Sequence, residues 1–374
     1  MKLLFITHHY LSGNSGGAFA SRAYINAFAE VADEMTLLYP VKDGQNLFDG
    51  INPKINAIPV AYAIPKWRKL IHTLTGKVHR YFKATKEFLS EKKADVVVFD
   101  TSIVSFRLID RFKAKGYKTI VIHHNYQYEY FRDNTRGILK PITLFWCKKY
   151  EKQAVRNADI NLTLTQQDVE LLANNYNGGN RANFKVLGAF EYCQREPKNF
   201  QSRNSQNRFV ITGSLSSYQT YASLEQWITN YYPLLKSVFS ESTLIIAGKN
   251  PSAELVELCH NNGVIVVPSP PSIDDVLKDV DYYICPTFLG GGLKLRIMDG
   301  LRWGLPVVTH SVSARGYDAF KDAGCLFSYS NVVEFLSAIQ QLKSLSMSKR
   351  EIQALYISLF SFEAGVERLS KVLE

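Results

Sequence analysis

The sequence predicts an α/β chain with two doubly wound parallel sheets, one in each half. Three observations carry this. Short apolar runs rich in Val, Ile and Leu recur along the 374 residues. Several lack alternation, as expected where both faces of a parallel strand are covered. Amphipathic stretches of roughly ten or more residues lie between many of them, the spacing of βαβ units. Finally, the polar, strand-free run REPKNFQSRNSQNR (Arg195–Arg208) divides the chain into comparable halves, each opening with a strand that leads into a glycine-containing turn.

The first half reads as strands KLLFIT, EMTLLYP, INAIPV, ADVVVFD, KTIVIHH and INLTLT. After the first strand, LSGNSGGAFASRAYINAFAEVA sets Gly16 and Gly17 before an amphipathic helix, with Arg22 adding a cation near its start. Two histidine pairs, His8-His9 and His123-His124, each follow an apolar strand. Alternation along an extended chain predicts that one member of each pair points to the ligand side. Between the third and fourth strands, residues 65–93 carry nine Lys or Arg against two Glu, with Trp67, Leu70, Ile71, Leu74, Val78, Tyr81, Phe82 and Phe88 recurring at helical spacing. That pattern suits an interfacial helix on an anionic bilayer. It equally suits a helix packed on the sheet with a solvated basic face. Gly76 is a candidate break between two helices.

The second half reads as RFVITGSL, STLIIAGK, GVIVVPS, YYICPT, LPVVTH and GCLFSY, followed by one final helix over SKREIQALYISLFSFEAGVERLSKVL. The expected domains are residues 1–195 and 208–355, with 356–374 as a C-terminal helix packing back on the first. In open α/β sheets ligands bind beyond the carboxyl ends of the strands, so features at strand ends carry the functional weight. The strongest is LGGGLKLRIMDGLRWGLPVV (Leu289–Val308). Gly290, Gly291 and Gly292 let a ligand approach backbone N–H groups closely. Lys294 and Arg296 follow where a helix start ordinarily favours acidic residues, which points to an anionic ligand. Asp299 can accept hydrogen bonds from ribose hydroxyls. The plainer reading is a flexible connection with an Arg296–Asp299 surface pair.

Composition bounds the partners. Hydrophobic content of 46% and aromatic content of 13% describe a globular chain. The formal charge of +10 favours anionic partners: nucleic acid, phospholipid headgroups or a phosphorylated small molecule. No run approaches a bilayer span, and the apolar part of MKLLFITHHY is too short for a signal peptide. The five cysteines show neither a disulfide framework nor zinc spacing, as in a reducing cytoplasm. Asp279-x-Asp281 stands just before a strand and reads as the end of a helix and a turn, so no metal is expected.

GGGLKLRIMDGLRWGLPVV resembles the signature of GT-B glycosyltransferases, particularly the family 4 group of retaining enzymes. FVITGSLSSYQTYASLEQWITNYYPLL, STLIIAGKNP, VVPSPPSIDDVLKDVDYYICPT and the N-terminal glycine loop extend the similarity to both domains. The resemblance implies two Rossmann-like domains facing a cleft, the first binding the acceptor and the second a nucleotide-sugar. It places Asp299 at the second carboxylate of the family's E-x7-E pattern, and Gly291 where many members have the first Glu. It implies nucleotide-sugar contacts from Gly16, Gly17, Gly213, Ser214, Ile273, Gly290, Gly291, Gly292, Leu293, Lys294 and Asp299. GSLSSYQTY lacks the Arg and Lys many members carry after this turn, which leaves Lys294 as the main charge-neutralising group. VIHHNYQYEYF resembles the stretch where a His followed by Asn meets the donor, which makes His124 the catalytic contact. Glu129 and Arg22 are acceptor-side candidates. The implied activity is transfer of a sugar, UDP-sugar favoured on family frequency, to a glycan or lipid-linked glycan in capsule, O-antigen or exopolysaccharide assembly, in the cytoplasm or on the inner membrane face. The alternatives are a nucleotide-sugar epimerase or hydrolase of the same fold, and a basic nucleic-acid-binding protein, for which no recognition motif is present.

Overall fold

The computed structural model describes residues 1–13, 15–41, 47–61, 65–76, 81–91, 93–200 and 206–374, without the side chains of 218 and 219. The chain divides into two units: Met1–Arg195 with Ser361–Glu374, and Glu196–Phe360.

The first unit carries a seven-stranded, all-parallel sheet. Its strands are β1 (Lys2–Thr7), β2 (Glu34–Val41), β3 (Ile55–Ala61), β4 (Val96–Asp100), β5 (Lys118–His123), β6 (Ile160–Thr163) and β7 (Phe184–Val186). The order is β3-β2-β1-β4-β5-β6-β7. Leu4, Phe5, Ile6, Val97, Val98 and Phe99 have no exposed surface, because helices cover both faces of the central strands. The winding reverses between β1 and β4, whose register sets Thr7 beside Asp100. The second unit repeats the design with β8 (Arg208–Ser214), β9 (Thr243–Lys249), β10 (Ile265–Pro268), β11 (Tyr282–Cys285), β12 (Val307–His310) and β13 (Leu326–Tyr329). Their order is β10-β9-β8-β11-β12-β13, with the reversal between β8 and β11. Its core gathers Trp227, Tyr232, Phe209, Phe335 and Ile339.

Three expectations change. The expected single C-terminal helix is two, Lys349–Phe360 and Phe362–Leu373, separated by Ser361. Ser361 caps the second by accepting from the Ala364 N–H, and the chain passes between units at this point. The second helix packs on the helix Gly16–Val31, with Arg368 donating to the carbonyls of Leu187 and Ala189 at 3.0 and 3.2 Å. β7 is an additional strand. The basic segment divides: a helix over Lys66–Thr75 has no buried residue and ends at Gly76, in the left-handed region at φ 59°, whereas Tyr81 and Phe88, the latter on the helix Lys86–Glu91, are buried in the sheet's core with Leu4, Ile6 and Val97. Lys77, Val78, His79, Arg80 and Lys92 of that segment lie outside the described residues.

Candidate functional site

In each unit a sequence-predicted glycine loop follows a strand at the reversal of its own sheet, where α/β ligands bind, while Glu129 follows β5 and Ile273 follows the edge strand β10.

In the first unit the centre is Asp100, the last residue of β4 and fully buried. Thr7, ending β1, and Ser21, on the helix Gly16–Val31, each donate a hydroxyl to Asp100 Oδ2 at 2.5 Å. His124 Nε2 bonds the other carboxylate oxygen. Burial by itself would raise this carboxyl's pKa. The facing His124, with smaller help from His9 and Ser21, instead holds it well below the usual carboxylate range. The His9 ring lies 5.1 Å from that of His124 and rests on Gly17, where a Cβ would stand 2.4 Å from His9 Cε1. Burial, then the neighbouring His8, push His9 well below the ordinary histidine value, so it is neutral at pH 7. His9 Nε2 and His124 Nδ1 are both buried without a hydrogen-bond partner. The donor atoms of His9, Asp100 and His124 lie within 4.8 Å of one another. The Asp100 oxygens already accept from Thr7, Ser21 and His124, so the cluster stands as a hydrogen-bonded network.

The two histidine pairs differ from expectation in one respect. His123 points into the sheet, bonded to Asn161 Oδ1 at 2.9 Å, and burial pushes its pKa down to about 4. Its role is structural, whereas His124 turns to Asp100 at the strand end. In the other pair both rings lie at the strand end, 4.2 Å apart, because His8 and His9 follow the last residue of β1 and no pleat separates them. His124 is held in place from behind. The Tyr126 N–H donates to Asp168 at 3.0 Å and the Gln127 N–H to Glu151 at 2.6 Å. Glu129, on the helix that Gln127 opens, pairs with Arg132 at 3.7 Å. Arg22 donates to the carbonyls of Ala18 and Gly13 and lies over the Tyr192 ring, so it braces the glycine loop.

In the second unit the loop after β11 carries Gly290 and Gly292 at φ 79° and 71°, backbone positions that require glycine. Gly290, Gly291 and Gly292 are buried and Leu293 is half-buried. Lys294 precedes the helix Arg296–Arg302. Its ammonium donates to the carbonyls of Leu289, Gly290 and Gly291 at 3.3, 3.3 and 3.2 Å. Arg296 turns toward the end of β8, donating to Thr212 O and Thr220 Oγ1, each at 3.3 Å. Gly213, at φ 147°, leaves room for that guanidinium, which a Cβ would meet at 2.6 Å. Ser214 is exposed and Ile273 half-buried. Asp299 pairs with Arg302 at 3.7 Å, in place of the Arg296 partnership considered from sequence. Asp281 accepts the backbone N–H groups of Gln206 and Arg208 at the opposite end of the sheet, a structural role.

Asp100 is the site residue that sequence reasoning missed. A carboxylate closing the buried run VVVFD was the available signal, since an acid there needs partners.

Against known structures, the whole chain aligns with the lipopolysaccharide outer core galactosyltransferase WaaB at TM-score 0.65 and 13% identity, covering 99% of that chain. It aligns over its full length with HepE of Anabaena, solved with UDP and glucose, at TM-score 0.65 and 11% identity, covering 99% of that chain. A glycosyltransferase from Rickettsia africae gives 0.68 and 11%, with 100% of this chain and 98% of that one covered. The fold is GT-B. Residues 180–344 match the family model described as glycosyl transferases group 1. No curated protein matches the chain.

Proposed function

We propose that this GT-B chain is a retaining, family 4-type glycosyltransferase. It moves a sugar from a nucleotide-diphosphate donor to a hydroxyl of a glycan or lipid-linked glycan in cell-surface polysaccharide assembly, working in the cytoplasm. The observation that carries the reading is the Gly290–Lys294 loop. It follows β11 at the reversal of the second sheet and falls within the segment matching the group 1 family model. UDP-sugars come first because HepE of Anabaena is solved with UDP and glucose and WaaB is named a galactosyltransferase.

Each residue then has a task. Backbone N–H groups of the glycine loop receive the diphosphate, and Lys294 offsets its charge from the loop carbonyls it spans. Asp299, about a third exposed, accepts the ribose hydroxyls. Gly213, Ser214 and Ile273 line the nucleotide side. Gly16 and Gly17 allow close approach at the first-unit helix start, with Arg22 and Glu129 toward the acceptor. His124, oriented by Asp100, contacts the donor sugar or the departing diphosphate, and no resident metal is required.

The test is donor conversion with and without a glycan acceptor, alongside thermal stabilisation by UDP, GDP, ADP and dTDP. Transfer that needs acceptor and is indifferent to chelator supports the reading. Conversion without acceptor would make the chain an epimerase or hydrolase, and polynucleotide binding without sugar-nucleotide binding would reassign it altogether. Asp299→Ala should weaken donor affinity roughly tenfold, the worth of one or two lost hydrogen bonds. Unchanged affinity removes Asp299 from the ribose.

A further inference from the structure

The helix Lys66–Thr75 carries an apolar stripe that the fold leaves outside. Trp67, Leu70, Ile71 and Leu74 share one face at i, i+3, i+4 and i+7, and they are 58, 49, 42 and 45% exposed. An amphipathic helix of a globular domain ordinarily turns that face inward, yet this one has no buried residue. Its end is nevertheless anchored. Trp146, on the helix Lys140–Asn157, donates its indole N–H to Leu74 O at 3.2 Å, and its ring fills the place a Cβ on Gly76 would take, at 2.3 Å. Beside Trp146 stands Phe145, ring centroids 5.3 Å apart and 52% exposed, with the Lys149 ammonium 4.6 Å from its ring.

The charge of the two contacting segments is uniform. Residues 65–76 hold Lys66, Arg68 and Lys69, and residues 136–150 hold Arg136, Lys140, Lys148 and Lys149, with no carboxylate in either stretch. Exposed aliphatic and indole side chains flanked by cations alone match a surface of apolar interior and negative headgroups. A polynucleotide would use the cations and leave Leu70, Ile71 and Leu74 in water. A globular acidic partner would do without a stripe this apolar. No helix among the described residues is long and apolar enough to cross a membrane, so the contact is one of surface seating.

We propose that this surface, the Lys66–Thr75 helix with Phe145 of the adjoining helix, docks the protein on an anionic lipid bilayer. The proposal stands apart from the glycosyltransferase reading, since vesicle binding is measured without any sugar nucleotide. The full chain is sedimented with vesicles of phosphatidylcholine alone and of phosphatidylcholine mixed with phosphatidylglycerol. Wild type is compared with Leu70→Gln/Ile71→Gln and with Lys66→Gln/Arg68→Gln/Lys69→Gln. Circular dichroism checks the fold, which the absence of buried residues on this helix should leave intact. The expected result is binding to the mixed vesicles, about tenfold weaker in either variant, with added salt lowering it further. Failure to bind either vesicle, or equal binding by the variants and wild type, overturns the proposal. So does self-association in light scattering that the Leu70→Gln/Ile71→Gln variant abolishes, which would make a second copy the occupant. Preferential capture of an RNA oligonucleotide over the mixed vesicles also overturns it.

Discussion

The two sheet reversals use opposite materials. At β1/β4 the first unit converges side chains: a fully buried carboxylate, two hydroxyls and two imidazoles, each holding another's geometry. At β8/β11 the second unit shapes backbone: left-handed glycines, with Lys294 and Arg296 folded onto nearby carbonyls. Strand register fixes the first arrangement, because Thr7 and Asp100 are ladder partners. Loop conformation fixes the second. Substitutions in the first unit should therefore act on catalytic geometry and those in the second on donor affinity.

The largest expected effect is at Asp100. In Asp100→Asn the carboxylate that orients His124 becomes a neutral amide, and kcat should fall on the order of 10³-fold, as when a histidine loses its orienting acid, while donor KM changes little. A similar loss in KM would break the division between the two sites. Next is Gly17→Ala. Alanine is the better helix former, which offsets part of the cost of overpacking, about 1–3 kcal/mol. Its methyl enters the His9 ring at 2.4 Å, and the ring must leave its place beside His124. A fall in kcat approaching ~10²-fold is expected from misplacement at this scale, measured well below the variant's own melting temperature. Full activity would remove His9 from the site. Lys294→Met sharpens the comparison from the other side. It deletes the ammonium that spans three loop carbonyls, and donor KM should rise about tenfold with kcat closer to wild type. A reversed pattern would make Lys294 part of the chemistry.

How much of this was legible in the sequence follows from range. Strands such as KLLFIT and ADVVVFD announce themselves locally, since covering both faces demands an unbroken apolar run. β7 does not: two of its three residues, Lys185 and Val186, are exposed, so it has no apolar signature. The helix break at Ser361 was written in Ser361-Phe362-Glu363, a capping residue followed by an acid in the first turn. The continuous amphipathic pattern across it read as one helix. The glycine loop was visible as a motif, but the direction of Arg296 was not, because Thr212 and Thr220 lie 84 and 76 positions away in the chain. Asp100 and His124 belong to the same class: each is conspicuous alone, and only the β4–β5 pairing brings them together.

The smallest of these effects concerns pH, and it tests whether the first-unit site rests on its buried acid behind His124. Glu151 is fully buried, and burial pushes its pKa up to about 8, against the opposing bonds from Tyr176 and Gln127. The unfolded chain releases this proton near the ordinary glutamate value of 4.5, while the native state keeps it. Across that window the native state binds more protons, so stability falls with rising pH at up to ~1.4 kcal/mol per unit. His123 has the opposite sign. Its native pKa of about 4 lies below the ordinary histidine value of 6.5, so its contribution falls away as pH drops through that window. The two oppose each other from pH 4.5 to 6.5, and above 6.5 Glu151 acts without that opposition. Glu151→Gln keeps an acceptor for the Gln127 N–H and removes the titration. Relative to wild type the variant should gain ~2 kcal/mol between pH 6.5 and 8, the product of the slope and the interval, measured by urea unfolding at each pH. A difference that stays flat would show that the proton on Glu151 is not what holds the turn carrying His124.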